Sequence, residues 1–357
     1  MEYSYNYIQS QKSNQKLTAI LEKLPFFCAE FISEKRTERK DFKIETGYMY
    51  LSSIHQFFNY LGNELNISTV DITPEMLNEV SVEKLENFLA RPIPAKNNEN
   101  HTENEQKYSI AAKKRTLSAI RSLYSYLLKQ KKLSYNPAAL IHYKNDNSTS
   151  LMVTMSDMQR ISLLHNMEQG KCVSKSGRSR QVSKNNKLLI RDIAILFLLL
   201  GTGITIDELV ALNVDDVDLT DDYIVIMDRN NKIKKLSFSS EVHDKLSNYI
   251  YDIRPLFVEP DNDSKFNQPL FVSTHKKRIT SRNIHYMLEK YTKSAFPDDT
   301  EHITPKNLRY AYAASLYHLT GDALLVTETL GLKDASFIKR LTNTKQNKIV
   351  RVPVIPS

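Results

Sequence analysis

From Ile193 to Leu200 the chain carries no polar side chain. As a helix this run of eight residues spans about 12 Å, far short of a hydrocarbon core of ~30 Å. A helix that is apolar on every side has to be enclosed by other elements. The second half of the chain must therefore wrap protein around this segment, read as a buried helix from Ile190 to Leu200 that stops at Gly201. At 357 residues the chain is long enough for two domains, each with a sizeable core. With only 8 glycines it has no glycine-rich phosphate loop, so no small-molecule cofactor is expected. The two cysteines, Cys28 and Cys172, have no ligand or disulfide spacing, and no metal is expected. The segment from Met1 to Ser13 is polar and lacks the apolar stretch of a signal peptide, which points to the cytoplasm and away from a membrane. Lys and Arg number 49 against 41 Asp and Glu, a net charge of +8. That excess favours a polyanionic partner, nucleic acid being the commonest and an anionic membrane surface the alternative.

Periodicity divides the rest. Leu17, Ile20, Leu21 and Leu24 recur at helical spacing until Pro25, and Tyr50, Leu51, Ile54, Phe57, Phe58 and Leu61 form a second apolar face. Thr73-Pro74-Glu75 reads as a helix start. Residues 92–108 read as a polar loop, and Asn136-Pro137 as a stop after a helix that runs from Ser109 to about Gln130. In the second half, Thr154 to Met167 reads as helix and Lys171 to Lys187 as a basic loop without an acidic residue. Tyr223 to Met227 and Lys235 to Phe238 read as strands around a basic turn, with Leu270 to Ser273 a possible third. Helix is expected from there to about Leu341, apart from turns. The domains expected are a tail (1–15), a helical domain (16–143), a linker (144–150), a mixed domain (151–343) and a second tail (344–357). The fold class is mainly α with a small antiparallel β-sheet.

The helix beginning at Ser109 has an apolar stripe of Ile110, Leu117, Ile120, Tyr124 and Leu127. The opposite side carries Lys114, Ser118, Arg121 and Ser125, with Lys113 and Arg115 alongside. Cations and small hydroxyls on one face suit a helix lying on phosphates or in a major groove. An ordinary solvated face has the same pattern.

The segment R-T-L-S-A-I-R-S-L-Y-S-Y-L (Arg115–Leu127), followed by Asn136-Pro137, resembles the core-binding domain of phage-integrase and Xer-type recombinases. Three segments of the second half are similar to the successive signatures of the tyrosine recombinase catalytic domain. They are T-G-I-T-I-D-E-L-V-A-L-N-V-D-D-V-D-L (Thr202–Leu219), T-P-K-N-L-R-Y-A-Y-A-A-S-L (Thr304–Leu316) and L-G-L-K-D-A-S-F-I-K-R-L (Leu330–Leu341). They come in the family's order and at its separations, and the resemblance runs from about residue 16 to 343. The layout is most similar to the single-protein Xer recombinases. It implies a C-shaped clamp on duplex DNA, with the basic helix against the DNA. The charge of the basic loop adds Lys175, Arg178 and Arg180 as expected DNA contacts.

The chemistry that the resemblance implies is transesterification at a phosphodiester. A tyrosine attacks phosphorus, arginines and histidines hold the developing charge, and a lysine protonates the leaving oxygen. The matching positions here are largely substituted. The first arginine is Thr205, followed by the family's acidic residue as Glu208. The lysine of the strand turn is Arg229, with Lys232 matching the second basic residue of that turn. The histidine of H-x-x-R is Lys306, and the second arginine is retained as Arg309. The position after L-G is Leu332. The nucleophile position is Leu341, and no tyrosine follows Tyr317. An arginine gives up no proton near neutral pH, and leucine has no nucleophilic atom. The expectation is sequence-directed DNA binding without cleavage, as an accessory factor, a decoy or a regulator, with an active recombinase paralogue as a possible partner. Two readings stay open beside it: an active recombinase with an atypical nucleophile or a partner's residues, and a protein-interaction clamp. Arg309 itself could be a structural arginine paired with a carboxylate. The tail from Thr342 to Ser357 contains Pro353 and Pro356 and lacks an apolar face at helical spacing, so it is not expected to form a docking helix.

Overall fold

The computed structural model describes residues 5–39, 42–91, 109–143, 155–174, 177–227, 232–258, 268–297, 303–332 and 338. The chain forms two compact units, residues 3–147 and 148–357. The class is mainly α with small antiparallel sheets, as expected.

The first unit holds α1 (Tyr5–Leu21), α2 (Phe26–Glu38), α3 (Ile44–Leu65), α4 (Pro74–Asn78), α5 (Val82–Ala90), α6 (Ile110–Lys129) and α7 (Pro137–Leu140). α1 stops at Leu21, short of the expected end at Pro25, which instead takes the N-cap position of α2. The apolar face of α3 is buried at Leu51, Ile54, Phe57, Phe58 and Leu61. It packs on α6 through Leu117, Ile120, Tyr124 and Leu127. Phe57 meets Phe88 of α5 edge to face, centroids 5.0 Å apart. Truncating such a ring costs roughly 3–5 kcal/mol.

Expectations for this unit differ from what forms at its start, along α6 and at Asn136-Pro137. The expected N-terminal tail is helical from Tyr5 onward, where α1 begins. Ile110 is 56% exposed, because it opens α6 before the helix meets α3; the buried face instead takes in Ala119, Leu123 and Tyr126. Asn136-Pro137 starts a turn of helix rather than stopping one, Pro137 taking the first helical position.

The second unit holds α8 (Asp157–Glu168), β1 (Lys171–Val173), β2 (Ser179–Gln181), α9 (Lys187–Thr202), α10 (Ile206–Ala211), β3 (Val217–Asp218), β4 (Tyr223–Met227), β5 (Ile233–Ser237), α11 (Ser240–Asn248), α12 (Ser281–Ala295), α13 (Pro305–Thr320) and α14 (Ala323–Leu330). The apolar run lies in α9, which packs on α8, α11 and α13. The helix runs two residues further than expected. Gly201 is helical, and Gly203, with φ +63°, ends it. β3, β4 and β5 form an antiparallel sheet, with Val225 opposite Lys235 and Val217 opposite Ile224. Its third strand is β3; Leu270 to Ser273 contributes only a bridge between Val272 and Arg278. The basic loop is a hairpin, β1 on β2, with Cys172 opposite Arg180.

α9 also carries a buried ion pair. Arg191 Nη2 lies 2.7 Å from Asp192 Oδ1, and Tyr291 donates to Asp192 Oδ2 at 3.2 Å. Burial pushes the Asp192 carboxyl above its ordinary value, and the guanidinium opposes that. Arg191 Nη1 also donates to the Val272 carbonyl at 3.0 Å, so this pair ties α9 to the bridge and to α12.

Candidate functional site

The second unit contains a cavity of about 450 Å³ where the three signature segments meet. Its wall includes Thr205, Asp207 and Glu208 from the start of α10, Thr304, Lys306, Arg309 and Tyr310 from α13, Leu330, Gly331 and Leu332 at the end of α14, and Ser281 and His285 from α12. The first turns of α10, α12 and α13 all open on it. The sequence explains each start. Thr205 caps α10, accepting from the Glu208 N–H at 3.3 Å, while Glu208 Oε2 accepts from the Thr205 N–H at 2.8 Å. Thr280 caps α12 by accepting from the Asn283 N–H at 3.2 Å. Pro305 takes the first position of α13, and Asn307 Oδ1 accepts from the Thr304 N–H at 2.8 Å.

The residue at the first-arginine position is thus a helix cap. Its hydroxyl accepts and its backbone N–H donates within α10, and the acidic residue that the resemblance marks, Glu208, is the other half of the same box. Arg309 is committed as well. It donates to the carbonyl of Gly203 at 2.6 Å and to the carbonyl of Leu330, and Nη1 lies 3.8 Å from Glu208 Oε2. The guanidinium therefore pins the end of α9 and the end of α14 to α13. Gly203 is required at that join: an added Cβ would lie 2.5 Å from Tyr312 Cδ1 and 2.9 Å from Leu330 Cδ2.

Lys306 is exposed, with its ammonium 5.2 Å from the Tyr310 ring centroid. Leu332 is half-buried at the cavity edge, where it offers no donor or acceptor from its side chain. Lys232 is exposed on the strand hairpin. Arg229, Leu341 and Lys175 lie outside the described residues, as do the expected linker and the C-terminal tail. Two residues absent from the motif reading adjoin the site. His285 lines the cavity one helical turn beyond Ser281. Lys234, on β5, donates to the Glu328 carbonyl at 2.8 Å beside Gly331. The i, i+4 spacing of Ser281 and His285 on one helix was the available signal, but it does not reveal which wall that helix forms.

In the first unit, Arg115 and Ser118 are exposed on α6, and Lys113 and Lys114 are half-buried. Arg121 differs from the expectation of an outward cation. Its Nε donates to Ala138 O at 3.0 Å and its Nη2 to Ile141 O at 2.8 Å, which ties α6 to the end of α7. Arg178 and Arg180 are exposed on the β1–β2 hairpin. Among the described residues no group of three His, Cys, Asp or Glu side chains is placed to hold a metal ion. No helix among them is long and apolar enough to cross a membrane.

Residues 178–348 match the phage integrase family. The tyrosine recombinase XerC of Thermodesulfovibrio yellowstonii is 24% identical over 328 residues, spanning 92% of this chain and 94% of that protein. Tyrosine recombinase XerS of Streptococcus mutans is 27% identical over 337 residues, spanning 89% and 91%. Among solved structures, the XerH site-specific recombinase bound to its difH substrate in a pre-cleavage complex superposes with a TM-score of 0.55 at 19% identity, covering 85% of this chain and 77% of that one. The Tn1549 transposon integrase in complex with a circular intermediate DNA superposes with a TM-score of 0.58 at 13% identity, covering 89% and 95%. Motif order, family match and fold agree: residues 178–348 form a phage integrase family domain, and the chain as a whole is similar to tyrosine recombinases.

Proposed function

We propose that this protein binds duplex DNA as a recombinase homologue and does not cleave it. The observation that carries the reading is the assignment of the cavity's groups. Thr205 caps a helix where the family resemblance places an arginine, and Arg309 is held by the carbonyls of Gly203 and Leu330. Phosphoryl transfer at a diester needs preorganised donors where charge develops. A capping hydroxyl and an arginine turned to backbone carbonyls do not supply them, and Leu341 supplies no nucleophile. In this reading residues 16–143 are the core-binding domain and 151–343 the catalytic-type domain, working in the cytoplasm. A further partner in this reading is an active recombinase paralogue, whose DNA site the protein would share or occupy.

DNA binding is supported by the +8 charge, by Arg115 and Ser118 on the open face of α6, and by Arg178 and Arg180 on the hairpin. The solved neighbours include recombinases bound to DNA. The test is duplex affinity against salt. Log affinity is expected to fall linearly with log salt, with a slope of roughly −0.9 per phosphate neutralised. Affinity that is flat in salt removes the DNA reading in favour of a protein partner.

A further inference from the structure

The outer face of α3 is unlike that of an ordinary surface helix. Of its 22 residues only Glu45 and Glu64, near its two ends, are charged. Between them the side opposite the buried face carries Ser52, Ser53, Gln56, Asn59 and Asn63, exposed or half-buried. In a chain in which 25% of residues are charged, a solvated face of this length would carry several charges. Side-chain amides and hydroxyls are instead the groups that pair with base edges, while phosphates take Lys and Arg. Cations are close by. Lys113 and Thr116, from the first two turns of α6, line a shallow depression with Gln56 and Arg91. Lys114 and Arg115 follow Lys113 on that helix.

Gln56 is held in one orientation. Arg91, at the end of α5, donates from Nη1 to the Gln56 carbonyl at 3.3 Å and from Nη2 to Gln56 Oε1 at 3.2 Å. Its guanidinium lies over the Phe88 ring, 4.1 Å from the centroid. Phe88 is fixed in turn against Phe57 and Tyr60. A guanidinium has donors only, so it selects the oxygen end of the amide. Oε1 is turned in to Arg91, and Nε2, without a protein partner among the described residues, is the end left for a ligand. An unrestrained glutamine pairs with adenine by accepting from N6 and donating to N7. A glutamine whose oxygen is taken presents donors alone, and these match the adjacent acceptors O6 and N7 of guanine.

We propose that Gln56 reads a guanine in the major groove and that Arg91 is the positioning residue that sets guanine above adenine. The inference rests on the DNA-binding reading above and deepens it, by assigning base readout to α3 beside the cations of α6.

The test uses the full chain and a pool of duplexes with a random core of about 30 base pairs, roughly three helical turns. Bound duplexes are selected and sequenced. The enriched site is then measured by fluorescence anisotropy with each base pair changed in turn. For the wild type, one guanine is expected at which a change to adenine weakens binding roughly ten- to a hundredfold, the discrimination of a good side-chain pair. Gln56→Ala is expected to remove that preference at that position alone, with the salt slope and the other positions unchanged. Arg91→Met keeps an apolar stem on Phe88 and frees the amide. It is expected to accept adenine as well as guanine there, a change of base choice that a merely structural role would not produce. A Gln56→Ala variant that keeps the wild-type preference at every position overturns the proposal. So does a Gln56-dependent position that selects a base other than guanine, or an Arg91→Met variant that still excludes adenine. A wild type with salt-dependent affinity for duplex that enriches no site overturns the proposal while the DNA reading stands. A wild type that binds no duplex even at low salt overturns both and leaves the amide face to a protein partner.

Discussion

Replacing Arg309 with alanine should unfold the second unit at a markedly lower temperature. The side chain is 14% exposed, and its partner Glu208 12%, so water replaces little of what is lost. Two hydrogen bonds disappear, to the carbonyls of Gly203 and Leu330, each from a charged donor. Such bonds contribute about 1.5–3 kcal/mol each. The 3.8 Å approach to Glu208 is also lost, but Glu208 keeps the Thr205 N–H, which limits that part of the cost. Together the loss is about 3–6 kcal/mol, overlapping the range found when one partner is removed from a buried polar cluster. For a unit of this size that corresponds to a fall in Tm of roughly 6–24 °C. Arg309→Lys keeps the charge but cannot reach two diverging carbonyls from one nitrogen, and should recover less than half of the loss. The assay is thermal and urea unfolding of the full chain followed by circular dichroism. A fall under about 1 kcal/mol with a large loss of DNA affinity would refute the reasoning, because it would make Arg309 a phosphate ligand held free of the fold.

Gly203→Ala should cost roughly 2–5 kcal/mol, adding left-handed strain to a Cβ 2.5 Å from Tyr312. Gly177→Ala, with φ +77° but nothing within 4 Å, should cost only about 1–2 kcal/mol, and equal losses at the two positions would contradict the packing argument. Arg121→Ala should lower stability by about 2–4 kcal/mol through the Ala138 and Ile141 carbonyls. Exposed Arg115→Ala should leave stability within about 0.5 kcal/mol while reducing the salt slope of DNA binding by about one; the reverse pattern would exchange the two assignments.

Much of this fold was legible because its strongest signals are local. The stripe of α3, the Ser109 cap of α6 and the alternation of β4 each lie within one segment. What was hidden depended on partners distant in sequence. β1 and β2 are three residues each, and β2 is exposed throughout, so no apolar alternation marks them. Gly201 resembled a helix stop but fits inside α9 against Val242, and the stop fell to Gly203, whose φ is positive. In the site, Thr205, Lys306, Arg309 and Leu332 could be located because the motifs place them. Their uses could not be read, since Arg309 finds its acceptors 106 and 21 residues away. His285 carried no motif, and only the meeting of α12 with α10 and α13 brings it to the cavity.

Central to the account is a chain that grips duplex DNA and leaves the phosphodiester intact. The direct measurement incubates the protein with a nicked duplex carrying its binding site, on which a covalent intermediate is trapped once formed. Half of each sample is run on a native gel and half under denaturing conditions. The account predicts a native shift and no denaturant-resistant adduct, for the wild type and for Leu341→Tyr alike. A single tyrosine does not restore a group that acts as a unit with the missing arginine. An adduct formed by the wild type, removed by protease and absent without protein, would contradict it and make this chain an active recombinase with an unrecognised nucleophile.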